Sequence, residues 1–164
     1  MNDFEDCPAD WQMEAEGALV LGRKWIANVV AGLSSLPDPI PPVVATLLNR
    51  HFHTTDRGHV KKILGHFSTI ASAINSKIDF ECETKCDPNE TAYVYSIWSD
   101  IHLCPPWHAA SGNAQTNAII HELAHDAANR DDKAYQWQPA YATLSPADAM
   151  NNADSYSHFA QDAF

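Results

Sequence analysis

Five consecutive residues carry the strongest chemical signal in the sequence: His121-Glu122-Leu123-Ala124-His125. Ile119, Ile120 and Leu123 give this stretch the pattern of an apolar helix, on which side chains four apart stand one turn above another, about 5–6 Å between Cβ atoms. Two imidazoles so placed can grip one metal ion. Glu122 is turned about one helical step from His121, so its carboxylate is better placed to hold a water beside that ion than to bind the ion itself. An acidified water with a base next to it is hydrolytic chemistry. The bland alternative is a histidine-rich helix that happens to contain the string, and nine histidines favour such accidents. Against it, unpaired histidines on an apolar helix are costly.

This is the H-E-x-x-H arrangement of zinc peptidases. A catalytic zinc takes three protein ligands and leaves a fourth position for water, so a third donor must come from downstream. Common patterns supply a glutamate from a later helix or a histidine six residues after the second. Here no glutamate follows Glu122, position 131 holds Asp131, and His158 is the only later histidine. The remaining donors are Asp126, Asp131, Asp132, Asp148, Asp154 and Asp162. Asp126 follows a ligand directly on the helix and points away from it. Asp131 and Asp132 lie just past a turn that can fold back, and the residues alone leave both open.

With Asp132-Lys133-Ala134-Tyr135 following the histidine pair, the sequence resembles the aspzincins, a family that includes deuterolysin and the fungal peptidyl-Lys metalloendopeptidases. Tyr93-Val94-Tyr95, Ile101-His102-Leu103-Cys104 and the stretch from Asn152 to Phe159 extend the likeness over nearly the whole chain. The resemblance implies an α+β, mainly helical, zincin-like metallopeptidase with a small β-sheet and an active-site helix carrying HExxH. It implies one Zn(2+) ion held by His121, His125 and Asp132, Glu122 as general base and Tyr135 as transition-state stabiliser. It also implies disulfides joining Cys7 to Cys82 and Cys86 to Cys104. Two departures stand out: Asn129-Arg130-Asp131 replaces the usual Gly-Thr before the ligand aspartate, and Trp137 stands where the family commonly has glycine. Lysine-preferring relatives are similar at Asp154, whose carboxylate would face the amine of the residue after the cut, but they add an acid where this chain has Ser157. Asn152-Ala153-Asp154-Ser155-Tyr156 looks closer to deuterolysin, whose family habit is cutting basic proteins.

The scaffold for these residues is bounded by composition. At 164 residues, 45% apolar and 19% charged, the chain fits one domain able to bury roughly two-thirds of its unfolded surface. A net charge of -11 leaves no broad basic face, only the local group Arg50, Arg57, Lys61 and Lys62, which argues against nucleic-acid and membrane partners. The expected partner is a protein or peptide substrate, and the chain itself is expected to be a monomer. Four cysteines favour two disulfides and an oxidising compartment. The acidic amino terminus has no secretory-signal pattern, so the chain reads as a mature form or one exported by another route, secreted or periplasmic.

Periodicity predicts a long helix from about Pro8 to Leu36, ended by Pro37-Asp38-Pro39-Ile40-Pro41-Pro42, then helices over Val43 to Phe52 and Asp56 to Ser76. Short β-rich runs follow at Lys77 to Cys82, Ala92 to Ser96 and Asp100 to Leu103, with turn chemistry and a glycosylation sequon, Asn89-Glu90-Thr91, between the first two. Helical pattern returns from Asn113 through Ala127, over Asp132 to Leu144, after the Ser145-Pro146 cap, and from Asn152 to Phe164. The single domain thus divides into a helical layer with a sheet, to about residue 112, and zinc-site helices from 113 to 164. His51, His53, His59 and His66 read as surface groups, and His102 and His108 as bystanders rather than ligands. The strands Tyr93 to Ser96 and Asp100 to Leu103 are candidates for holding an extended substrate. The leading reading is an exported zinc endopeptidase. The competing ones are a zinc-scavenging protein on the same scaffold, which has no need of Glu122, and a protease effector or toxin domain.

Overall fold

The computed structural model describes residues 2–95 and 98–163. Helix α1 (Ala9–Ser34) buries Ala15, Ala18, Leu19, Gly22, Trp25, Ile26, Val29 and Leu33, the three- and four-residue spacing of a single face. The proline-rich turn ends it, and α2 (Pro42–Phe52) starts with proline at its first position, where a missing N–H costs nothing. Helix α3 (Arg57–Ile74) is capped by Asp56, which accepts from the His59 N–H at 2.9 Å. These three elements fall close to their predicted spans.

Three strands follow the predicted switch of period, and one more lies at the amino-terminal end. β2 (Asp79–Cys82) runs parallel to β4 (Trp98–Leu103), and β3 (Ala92–Tyr95) pairs antiparallel with β4 at the sheet edge. Ser96, the predicted end of β3, lies outside the described residues. The added strand is β1 (Asp3–Glu5), parallel to β2, in the order β1-β2-β4-β3. Three residues cannot hold a strand by themselves. Phe4 stacks on Phe80 with centroids 5.3 Å apart, and the Cys7–Cys82 disulfide anchors the segment next door. The second disulfide joins Cys86 to Cys104, so both bridges pair as the resemblance implies. On β2 and β4 the residues Phe80, Cys82, Ile101 and Leu103 face the core, while Glu81 and His102 alternate outward.

Helix α5 (Gly112–Asp126), entered through the short α4 (Pro105–His108), carries both candidate histidines and packs on α1, α3, β3, β4 and α7 (Ala153–Asp162). Gly22 of α1 leaves room for the end of α3, since a Cβ there would stand 2.8 Å from Ile74 Cδ1, while the α5 side chain of Thr116 would be in ordinary contact at 3.5 Å. Thr116, buried, donates to the Gly112 and Ala18 carbonyls at 2.8 and 3.3 Å, so the same face is also hydrogen-bonded. One apolar core runs from Leu19 and Ile26 through Phe67 and Ile70 to Ile120, Leu123, Tyr156 and Phe159.

Two expectations fail. The helix predicted over Asp132 to Leu144 is an irregular loop ending in a 3-10 turn, Pro139–Thr143. Asn129 takes a left-handed φ of 52°, Asp131 forms an isolated bridge with Asn152, and Pro139 lacks the amide a continuing helix needs. The loop's polar backbone is satisfied by the buried Asn152 side chain, whose Oδ1 accepts from Lys133 and Ala134 and whose Nδ2 donates to the Ala134 carbonyl. Nor is His51 a surface group, and His66 is half-buried. His51 is fully buried, accepting from the Tyr141 hydroxyl at 2.8 Å and facing Asp162 at 3.0 Å, and His66 bonds the Tyr156 hydroxyl at 2.6 Å. Both tie the amino-terminal helices to the carboxyl-terminal segment, a role no local pattern reveals.

Candidate metal centre

His121 and His125 stand on the inner face of α5, and the 127–138 loop brings Asp132 over them. His121 Nε2 and His125 Nε2 are 3.0 Å apart, and Asp132 Oδ1 lies 3.1 Å from the first and 3.3 Å from the second. Donors bonded to one tetrahedral zinc at 2.0–2.1 Å would stand about 3.3 Å from one another, so this triangle has the right size.

The outer nitrogens fix the protons. His125 Nδ1 lies 2.7 Å from the Arg130 carbonyl oxygen, which can only accept, so Nδ1 carries the hydrogen and Nε2 presents a lone pair. His121 Nδ1 faces Asp154 Oδ1 at 3.3 Å with the same result. Two lone pairs and a carboxylate oxygen therefore converge on one point, an arrangement that demands positive charge at its centre. Burial opposes charging His121, yet the Asp132 and Asp154 carboxylates outweigh it and raise its pKa to about 10, so a cation competes with a proton for the same Nε2 lone pair. Burial likewise works against an ionised Asp132, but His121 and His125 hold its carboxyl well below the usual range. The donor set fits a divalent zinc ion.

Of the two aspartates, the loop brings Asp132 beside the histidine pair. Asp131 turns outward to Lys133 Nζ and Asn151 Nδ2, both at 2.8 Å, while Asp132 turns in. The bridge to Asn152 and the Asn152 amide hold the backbone that makes this alternation. Sequence reasoning missed Asn152 and the Arg130 carbonyl as supports; a buried Asn beside a loop rich in backbone donors is a signal only once the fold is known.

Glu122 is 6% exposed, and burial pushes its carboxyl up to about 7 although His121 and His125 pull the other way. A carboxyl poised near neutrality can both take and return a proton. The Tyr135 hydroxyl donates to Asp132 Oδ2 at 3.1 Å, and burial with the Asp132 charge raises that phenol to about 12, keeping it a donor. Its ring lies parallel to His121 with centroids 5.9 Å apart, and Trp137, 80% exposed, lies parallel beyond it at 6.1 Å. Asp154 also reaches the site but is 5% exposed, with its oxygens turned to His121 Nδ1 and the Gln136 N–H. Ser157 is buried, its hydroxyl donating to the Asp154 carbonyl at 3.2 Å. Of the two expected substrate strands, β4 is paired on both sides, whereas β3 has a free edge among the described residues.

Residues 44–161 match the aspzincin family, described as lysine-specific metallo-endopeptidase. A peptidyl-Lys metalloendopeptidase of Pleurotus ostreatus is 30% identical over 166 residues, covering 96% of this chain and 95% of the relative. A neutral protease 2 homologue of Coccidioides posadasii is 29% identical over 135 residues, 71% of this chain and 37% of the relative, so the chain corresponds to only about a third of that longer protein. The solved structure of a zinc peptidase from Grifola frondosa shares the fold, with a TM-score of 0.80 at 22% identity over 96% of this chain and 98% of that one. With a family match over most of its length and a relative alignable from end to end, the chain belongs to the aspzincin family of zinc metalloendopeptidases and is a peptide hydrolase.

Proposed function

We propose that the chain cleaves internal peptide bonds with one zinc ion held by His121, His125 and Asp132, Glu122 acting as general base and Tyr135 as oxyanion donor. The observation that carries this reading is the convergence of three electron-pair donors at mutual distances of 3.0–3.3 Å beside a buried carboxyl. When bound, zinc supplies Lewis acidity, bringing the pKa of water to about 7 and polarising the scissile carbonyl. Glu122 takes the proton of the attacking water and returns it to the leaving amine. The Tyr135 hydroxyl shifts its hydrogen bond from Asp132 to the developing oxyanion, where a fixed donor contributes most. The free edge of β3 offers backbone groups to an extended substrate.

Basic, lysine-containing polypeptides are the favoured substrates. The family description and the Pleurotus relative's name support lysine, and a net charge of -11 attracts such chains. Strict lysine selection is not part of this reading, because Ser157 supplies no second carboxylate. Two disulfides support work outside the reducing cytosol, as an exported protein. Retention of Glu122 next to His121 favours turnover over scavenging.

Digestion of a mixed peptide pool by the zinc-loaded protein, beside Glu122→Ala, tests the proposal. Fragments that appear only with the unmodified protein are expected, enriched in cuts next to basic residues. Identical fragment patterns from the two proteins would overturn it.

A further inference from the structure

We infer that Gln138 is a positioning residue for Tyr135, holding its phenol in place through a turn that Tyr141 anchors to α2. This rests on the reading of Tyr135 as the oxyanion donor. Tyr135 lies in the irregular loop after α5 and is 37% exposed, so neither a helix nor a sheet ladder fixes its backbone. Gln138 takes both of its main-chain groups: the side-chain Oε1 accepts the Tyr135 N–H at 3.1 Å, and the Gln138 N–H donates to the Tyr135 carbonyl at 2.8 Å. Gln138 precedes the 3-10 turn Pro139–Thr143, yet its side chain does not cap that turn and is given over to Tyr135. Its own carbonyl accepts the Tyr141 N–H at 3.0 Å. Tyr141 is buried, its carbonyl accepting from His53 Nε2 at 2.9 Å and its hydroxyl donating to His51 Nδ1 at 2.8 Å. A continuous chain of hydrogen bonds thus runs from the end of α2 to Tyr135.

The ring and the backbone of Tyr135 are held by different contacts. The His121 and Trp137 rings lie parallel to it, which sets the plane of the phenol but lets it slide, and the bond to Asp132 Oδ2 is the one the hydroxyl gives up in the reaction. Once that bond is released, the place of the hydroxyl depends on where the loop holds the Tyr135 backbone. A donor to a developing charge contributes most when it is fixed beforehand, and a displacement of about 1 Å can cost about 100-fold in rate. Among the described residues Gln138 makes no hydrogen bond to His121, His125 or Asp132, so its effect on the reaction passes through Tyr135.

A double-substitution cycle separates positioning from a general support of the loop. kcat and KM for a quenched peptide are measured on zinc-saturated Gln138→Ala, Tyr135→Phe and the two combined, and zinc affinity is read by competition with a chromophoric chelator. Gln138→Ala is expected to lower kcat about 10- to 100-fold with KM and zinc affinity unchanged, and to change kcat less than about 2-fold once Tyr135→Phe has removed the hydroxyl. Gln138→Glu, whose carboxylate still accepts from the Tyr135 N–H, is expected to keep kcat within about 3-fold of the unmodified protein. An equal loss in both backgrounds, or no loss in either, would overturn the positioning role while leaving the peptidase reading intact. Full activity of Tyr135→Phe would overturn the reading of Tyr135 as well. Tyr141→Phe, which keeps the ring and removes only the bond to His51, keeps the test valid should Gln138→Ala fold poorly: its loss of about 2- to 10-fold in kcat is expected to vanish in the same way without the Tyr135 hydroxyl.

Discussion

Two clusters in this molecule set histidine against carboxylates at hydrogen-bonding distance, and they differ in where the protons point. On the outer face of the sheet, His102 Nδ1 lies 3.0 Å from Glu83 and 3.3 Å from Glu81, while the Tyr93 hydroxyl donates to Glu83 at 3.0 Å and the Tyr93 ring stacks on the imidazole at 4.5 Å. The imidazole N–H answers the carboxylates directly, so the group is complete. At the 121–132 centre the imidazole hydrogens are drawn outward to Arg130 and Asp154, and three lone-pair donors are left facing one another. Proximity alone makes both groups look like metal sites. The outer partners of the rings tell them apart.

Glu122→Gln tests the catalytic half of the contrast most severely. It should lower kcat by about 100- to 10,000-fold, the usual range for a general base, while the zinc content of the purified protein stays at that of the unmodified chain. Next comes a paired substitution. His125→Ala should weaken zinc binding by more than about 100-fold, and His102→Ala should leave it unchanged, both read by chelator competition. A comparable loss in both would erase the distinction drawn between the clusters.

A third imidazole-carboxylate contact sharpens the point through pH. His51 faces Asp162, which also takes Arg50, and accepts from Tyr141, yet burial wins and lowers its pKa to about 4, the opposite of His121. Between pH 6.5 and 4 the unfolded imidazole binds a proton that the folded one refuses. Stability present above pH 6.5 therefore falls as pH drops toward 4, by about 3 kcal/mol, and levels off below. Denaturant midpoints measured across that window should show the slope, and His51→Asn should flatten it. The smallest effect belongs to Trp137. At 80% exposure its replacement by alanine should change stability by less than about 0.5 kcal/mol, while losing an aromatic wall should raise the KM for peptides by about 2- to 10-fold.

What the sequence disclosed follows the range of the forces involved. His121 and His125 were legible because one helical turn fixes their relation, and α1, α2 and α3 were legible because a single buried face repeats along each. The choice between Asp131 and Asp132 was not legible from residues alone, since it depends on a bridge from Asp131 to Asn152, 21 residues downstream. The same bridge explains the failed helix over Asp132 to Leu144: helical propensity there loses to a buried amide that satisfies the loop in another conformation. β1 escaped notice because three residues of mixed polarity carry no period, and its stability comes from β2 and the Cys7–Cys82 bond. His51 and His66 sit beside basic residues in sequence, but their partners lie 90 residues on, at Tyr141 and Tyr156.

Zinc-edge anomalous diffraction from crystals of the zinc-loaded protein tests the metal assignment most directly. One strong peak is expected, with His121 Nε2, His125 Nε2 and Asp132 Oδ1 each about 2.0–2.2 Å away. A peak among Glu81, Glu83 and His102 instead, or no peak bonded to all three predicted atoms, would contradict it.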